Sequence, residues 1–200
     1  MSLTADVIAW TARVISGAQG HWVDCLPPDC QCVFVANHSS HLDFVVLWAS
    51  LPRVVRERTR PVAAKDYWEK NAVRRYLAMK VFRAVLVDRL GVNRHVLDPL
   101  YEALDEGDSL ILFPEGTRGA DHEPGEFKSG VYHLVKHRPG LRVAPAYLEN
   151  LNRVLPKGEF LPVPLLSRVH FGAPLVLAEG EARDPFLERL RTRVVELGHI

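Results

Sequence analysis

An α/β fold is predicted: a single domain with a mostly parallel central sheet flanked by helices, preceded by an N-terminal amphipathic helix. Three observations predict it. Short, β-branched apolar runs alternate with stretches of helical period along the chain. The 200 residues are 48% hydrophobic and 24% charged, the balance of one globular domain with a real core. No internal repeat, low-complexity tract or linker divides them.

Residues 3–18 carry Leu3, Val7, Trp10 and Val14 on one helical face, with Ile8 and Ile15 beside it, and Gly17 and Gly20 end the run. The apolar face can rest on the domain or on a lipid surface; Arg13 is the only basic residue of that helix, whereas surface-seeking helices carry more, so packing on the domain is the preferred expectation. Cys32–Ala36 reads as a buried strand and 42–50 as the helix after it. Further strands are expected at 61–64 and 84–87, with a basic helical segment over 67–81 between them. A helix over 94–106, a strand over 109–113 and a helix over 128–138 follow. Strands over 141–147 and 168–171 and a closing helix over 184–198 complete the pattern.

The formal net charge of +1, from 25 Lys and Arg against 24 Asp and Glu, exerts no global pull on nucleic acid. An anion site must therefore come from local clustering. The longest stretch free of Asp, Glu, Lys and Arg is 13 residues, 30–42, against the roughly 20 apolar residues of a membrane span. Asp6 and Arg13 argue against a signal peptide. Cys25, Cys30 and Cys32 are an odd, clustered set that suits a reducing compartment better than a disulfide framework. With His21 they lack the paired knuckles of a zinc site, and no metal is expected. Together these features point to the cytoplasm. Ten Lys and Arg crowd 53–83, and 160–166 is an apolar, proline-stiffened stretch. The first is either a solvated face or a contact for anionic headgroups or carrier phosphates, and the second either covers the core or dips into lipid.

Chemistry concentrates where strands end. Asn37-His38-Ser39-Ser40-His41-Leu42-Asp43 follows the first strand. With His38 in the loop and Asp43 in the first helical turn, the carboxylate folds back to the imidazole, fixes its tautomer and makes it a base. A histidine near an aspartate also arises as a capping arrangement, and this motif alone leaves both readings open. No G-x-S-x-G elbow accompanies Ser39 or Ser40. Phe113-Pro114-Glu115-Gly116-Thr117-Arg118-Gly119 follows another strand and sets Glu115, Thr117 and Arg118 on a tight turn suited to phosphate. A plain surface turn is the alternative. Lys65 and Arg89 close two more strands. If the strands are parallel, Lys65, Arg89 and Arg118 converge on the edge that carries His38.

The order NHSSHLD, VDR, FPEGTRG, FKSG and VAPAYL, across residues 37–147, resembles the glycerophospholipid acyltransferases, the group that contains lysophosphatidic acid acyltransferase. The resemblance makes 1–20 an N-terminal amphipathic helix and 21–200 an acyltransferase domain. It implies that His38, oriented by Asp43, deprotonates an acceptor hydroxyl that attacks an acyl thioester directly. Arg89, Glu115, Gly116 and Arg118 would bind the acceptor's glycerol phosphate. Thr117 shares their turn, and Lys65 falls where some members place a further phosphate-binding lysine. Pro145 would shape the acyl or acceptor pocket. No permanently bound cofactor is implied; the donor would be acyl-CoA or acyl carrier protein. The partners would be a lysophospholipid and a membrane surface, with the protein peripheral on the inner face of the membrane and no nucleic acid involved.

The second block departs from the family's G-x-x-F-I-x-R, with Arg83, Leu86 and Val87 in place of Gly, Phe and Ile. That leaves room for a lysolipid acceptor other than lysophosphatidic acid. The same His–Asp pair would also serve a thioesterase, though a thioesterase has little reason to place phosphate-binding cations beside its base. A non-catalytic lipid or carrier binder has no need of the base at all.

Overall fold

Strand β2, Cys32–Ala36, is buried along its whole length, as its unbroken apolar sequence requires of a central parallel strand. In the computed structural model, which describes residues 3–40, 43–88, 95–117, 119, 124–149 and 167–200, it lies in the middle of one seven-stranded sheet. The other strands are β1 (Gln19–Trp22), β3 (Thr59–Ala64), β4 (Val85–Val87), β5 (Ser109–Leu112), β6 (Arg142–Glu149) and β7 (Arg168–Phe171). Their order is β1-β7-β6-β2-β5-β3-β4, and every pairing is parallel except β6 with β7. The predicted α/β class is the observed one.

Alternation along β2 feeds two cores. Cys32, Phe34 and Ala36 face the layer of helices α1 (Leu3–Ser16) and α2 (Asp43–Ser50), where Trp48, Phe82 and Phe171 pack. Val33 and Val35 face the opposite layer, formed by α6 (Asp98–Asp105), α7 (Gly130–His137) and α8 (Arg183–Leu197). Among the described residues no helix is long and apolar enough to cross a membrane.

Helix α1 corrects the expected packing. It lies on the domain, but through Ala5 and Ala9, with Ile8 and Ala12 partly buried. Its large apolar residues face out: Leu3 is 81% and Trp10 67% exposed, and Val7 and Val14 are exposed too. Small side chains let α1 approach closely, and polar ties hold it there. Arg13 donates from Nε to the carbonyl of Ala49 (2.5 Å) and from Nη2 to that of Leu51 (3.1 Å), which satisfies the open end of α2. Asp6 pairs with Arg56 (3.3 Å) and Arg53 (3.6 Å) of helix α3, Arg53–Glu57.

Two other parts of the chain differ from the sequence reading. β1 was not expected; it is an edge strand whose QGHW sequence is joined to β7 by backbone pairing and by Trp22 stacked on Phe171 at 4.2 Å. Gly20 is needed there because a Cβ would stand 2.9 Å from the carbonyl oxygen of Ser50. The segment 67–81 is not one helix but α4 (Lys65–Trp68), α5 (Ala72–Tyr76) and a π-helical turn, Leu77–Val81. The break falls where Asn71 caps α5 by accepting from the Arg74 N–H at 2.8 Å.

His170, on β7 and 5% exposed, faces His21 of β1 with the two Nδ1 atoms 3.3 Å apart. Such a contact needs one ring to donate and the other to accept. Burial first, and His21 second, hold the His170 pKa below the ordinary histidine value; Glu149, 3.8 Å from Nε2, pulls the other way. As pH falls, the unfolded chain takes up this proton before the folded one does, so the folded state loses ground below about pH 6.5. Urea unfolding at pH 7.5 and 5.5 is expected to show lower stability at 5.5. The difference should shrink in His170→Gln, and an unchanged difference would remove His170 as its source.

Candidate active site

β2, β5, β3 and β4 run parallel, so their C-terminal ends share one edge of the sheet. The chain leaves β2 toward His38, β5 toward Glu115, β3 toward Lys65 and β4 toward Asp88. Of the three cations expected to converge here with His38, Lys65 is the one among the described residues. At about 4.8 Å per strand, β5 lies one spacing and β3 two spacings from β2.

Asn37, just past the end of β2, extends the sheet with its side chain. Its Nδ2 donates to the carbonyl of Leu148 (3.1 Å) and its Oδ1 accepts the Leu148 N–H (2.7 Å), so the buried amide replaces one more rung of the β2–β6 ladder. Next comes the pair read from the sequence. His38 Nδ1 lies 2.8 Å from Asp43 Oδ2. The same oxygen accepts the backbone N–H groups of Ser39 (2.6 Å) and Ser40 (2.8 Å), and Asp43 has no exposure to solvent. One carboxylate thus caps the loop and meets the imidazole at the same time. A carboxylate only accepts, so the imidazole presents its proton at Nδ1 and its lone pair at Nε2. The His38 side chain is 24% exposed, and its ring stacks on Phe113 at 4.5 Å.

The turn after β5 holds the His38 backbone from the other side. Glu115 Oε1 accepts the His38 N–H (2.8 Å) and Oε2 accepts the Gly125 N–H (3.1 Å), while the Gly119 N–H donates to the His38 carbonyl (2.9 Å). Glu115 is 8% exposed. Gly116 turns the chain with φ +72°, a conformation that favours glycine. Thr117 is exposed beside it.

Lys65 is exposed at the start of α4 with no ion-pair partner among the described residues. Pro145 is buried in β6 opposite Val35, where the β7 ladder has already ended at Phe171 and a missing N–H is tolerated. Arg89 and Arg118, together with His41 and the 160–166 stretch, lie outside the described residues. Among the described residues no group of three or more His, Cys, Asp or Glu is arranged to hold a metal ion. Sequence reasoning missed Asn37 as a rung of the sheet and Phe113 as the stacking partner of His38. The asparagine opening the NHSSHLD block was the signal available.

A family profile described as Acyltransferase matches residues 21–149. A chloroplastic 1-acyl-sn-glycerol-3-phosphate acyltransferase of Brassica napus is 30% identical over 135 residues, 65% of this chain and 36% of that protein. A probable 1-acyl-sn-glycerol-3-phosphate acyltransferase of Mycoplasma pneumoniae is 30% identical over 110 residues, 54% of this chain and 41% of that protein. The chain thus spans well under half the length of these relatives. The crystal structure of the 1-acyl-sn-glycerophosphate acyltransferase PlsC from Thermotoga maritima shares the fold, with a TM-score of 0.72 at 22% identity over 97% of this chain and 78% of that one.

Asn37→Leu keeps the volume and removes both hydrogen bonds, which leaves the N–H and carbonyl of Leu148 buried and unmet. The expected cost is about 2–4 kcal/mol of unfolding free energy, measured by urea denaturation. A loss below about 0.5 kcal/mol would show that the rung is dispensable.

Proposed function

Because the chain belongs to the acyltransferase family, we propose that it transfers a fatty acyl group from acyl-CoA or acyl carrier protein to the free hydroxyl of a lysophospholipid such as 1-acylglycerol 3-phosphate. The observation that carries this reading is the His38–Asp43 pair, held 2.8 Å apart at the sheet edge that also bears the Glu115–Gly116 turn and Lys65.

On this reading His38 Nε2 takes the proton of the acceptor hydroxyl as its oxygen attacks the thioester carbonyl. Asp43 keeps Nδ1 protonated toward itself and stabilises the imidazolium that forms. The tetrahedral intermediate collapses, the carbon–sulfur bond breaks, and the imidazolium returns its proton to the departing thiolate. The products are the acylated lipid and a free thiol, and no metal or enzyme-bound acyl group takes part.

Glu115 acts as a positioning residue, since both its oxygens are engaged by backbone N–H groups and it fixes the His38 main chain. Lys65, Arg89, Thr117 and Arg118 supply the acceptor's phosphate site, Gly116 gives its backbone room, and Pro145 shapes the pocket wall. The exposed Leu3, Val7, Trp10 and Val14 of α1 rest on lipid at the inner face of the membrane, where a lysophospholipid is found.

Thiol release from palmitoyl-CoA, with and without lysophosphatidic acid, tests the reaction. Release is expected to require the acceptor and to fall about 10²–10⁴-fold in His38→Ala. Acceptor-independent release would make the protein a thioesterase, and full activity in His38→Ala would remove the base. For the membrane contact, Trp10→Glu is expected to reduce co-sedimentation with anionic vesicles about tenfold. Equal sedimentation of variant and wild type would assign α1 another role.

A further inference from the structure

The FKSG run places one more cation at the site. Phe127 is buried among α6, α7 and α8 and anchors the segment. The Lys128 N–H donates to the carbonyl of Pro114 at 3.0 Å, which ties it to the turn after β5. Its side chain then lies across Gly116. A Cβ built on Gly116 would stand 2.6 Å from Lys128 Nζ and 3.1 Å from both Cδ and Cε. Gly116 thus serves two ends: it turns the chain at positive φ, and it leaves open the face over which the lysine passes.

Lys128 is exposed and has no ion-pair partner among the described residues. The nearby Glu115 spends both oxygens on backbone donors. The ammonium is therefore held at the site without being neutralised. Lys65 follows the end of β3, the strand paired with β5, and Lys128 lies over Gly116 in the turn after β5. Two ammonium groups without an ion-pair partner among the described residues thus follow adjacent strands at this edge. That suits a phosphate monoester, which carries up to two charges and three acceptor oxygens near neutral pH.

Resting on the proposed acyl transfer, we infer that Lys128 is a specificity-determining ligand of the acceptor's phosphate. Phosphate oxygens of the donor offer the same chemistry, and distance separates the two. In lysophosphatidic acid the phosphate lies a few bonds from the reacting hydroxyl, whereas the phosphates of coenzyme A lie a whole pantetheine arm from the thioester. A cation tied to the turn that follows β5, the strand paired with that of His38, suits the nearer phosphate.

The test compares wild type, Lys128→Met and Lys128→Arg in palmitoyl transfer to lysophosphatidic acid and to a monoacylglycerol of the same chain length. The KM ratio between the phosphorylated and unphosphorylated acceptors is expected to rise about tenfold in Lys128→Met and to recover in Lys128→Arg. An unchanged ratio, or a rise confined to the KM for palmitoyl-CoA, would overturn the assignment. Direct binding of both lipids, measured with and without Lys128→Met in a His38→Ala background, separates this inference from the one beneath it. Loss of preference for lysophosphatidic acid supports the phosphate contact even if wild type transfers no acyl group, and retained preference refutes it even if transfer is brisk.

Discussion

A carboxylate shut off from water must be met by donors, and the way Asp43 is met organises the rest of the site. Three donors converge on Oδ2: the imidazole of His38 and the backbone N–H groups of Ser39 and Ser40. The two backbone bonds fold the loop after β2 onto the first turn of α2, so the ring has one place to lie. The position of Asp43 then depends on α2, whose Trp48 and Leu47 are buried against the sheet. The far end of α2 is closed by Arg13 of α1. His38, at the sheet edge, is thereby braced through a helix by a residue of the N-terminal helix.

A second carboxylate works on the same histidine from the opposite side. Glu115 grips the main chain of His38 while Asp43 grips its ring, and the two come from segments 72 positions apart in sequence. Both are nearly or wholly buried, so each forgoes hydration and is repaid by backbone donors. That arrangement leaves the His38 Nε2 without a partner among the described residues, while its N–H, carbonyl and Nδ1 are taken. The Phe113 stack adds an apolar floor under the ring.

Much of this was legible in the chain because it is local or periodic. The buried run at Cys32–Ala36, the strand before FPEGTRG and the five-residue spacing of His38 and Asp43 all declare themselves within short windows. What was hidden depends on distant partners. Asn37 serves as a rung only because Leu148 lies beside it, 111 residues later. β1 has no apolar alternation and exists because β7 offers it a backbone. The face that α1 buries was misjudged because hydrophobicity marks the large residues, whereas close helix packing selects the small ones, Ala5 and Ala9. The turn at 113–119 suggested charges held out toward an anion; burial of Glu115 by partners at 38 and 125 is a tertiary fact.

Arg83 shows how a departure from the family's pattern is accommodated. It occupies a position with φ +52°, left-handed backbone that glycine adopts freely, and glycine is the residue the family's second block carries there. A non-glycine residue at such an angle costs about 1–2 kcal/mol. The side chain returns part of that cost, since Nη2 pairs with Asp108 at 3.1 Å and Nη1 donates to the carbonyl of Glu57 at 3.1 Å. Asp108 also binds Arg60 at 3.1 Å, and Arg60 Nε donates to the carbonyl of Arg83 at 2.7 Å. The result is a knot at the entry to β4 that ties β3, β4 and the start of β5 together at the edge opposite His38. The strand that leads to Asp88 and the second block is thus held from below by charge instead of by glycine. The departure changes how β4 is anchored, while the parallel pairing that carries its far end to the site edge is kept.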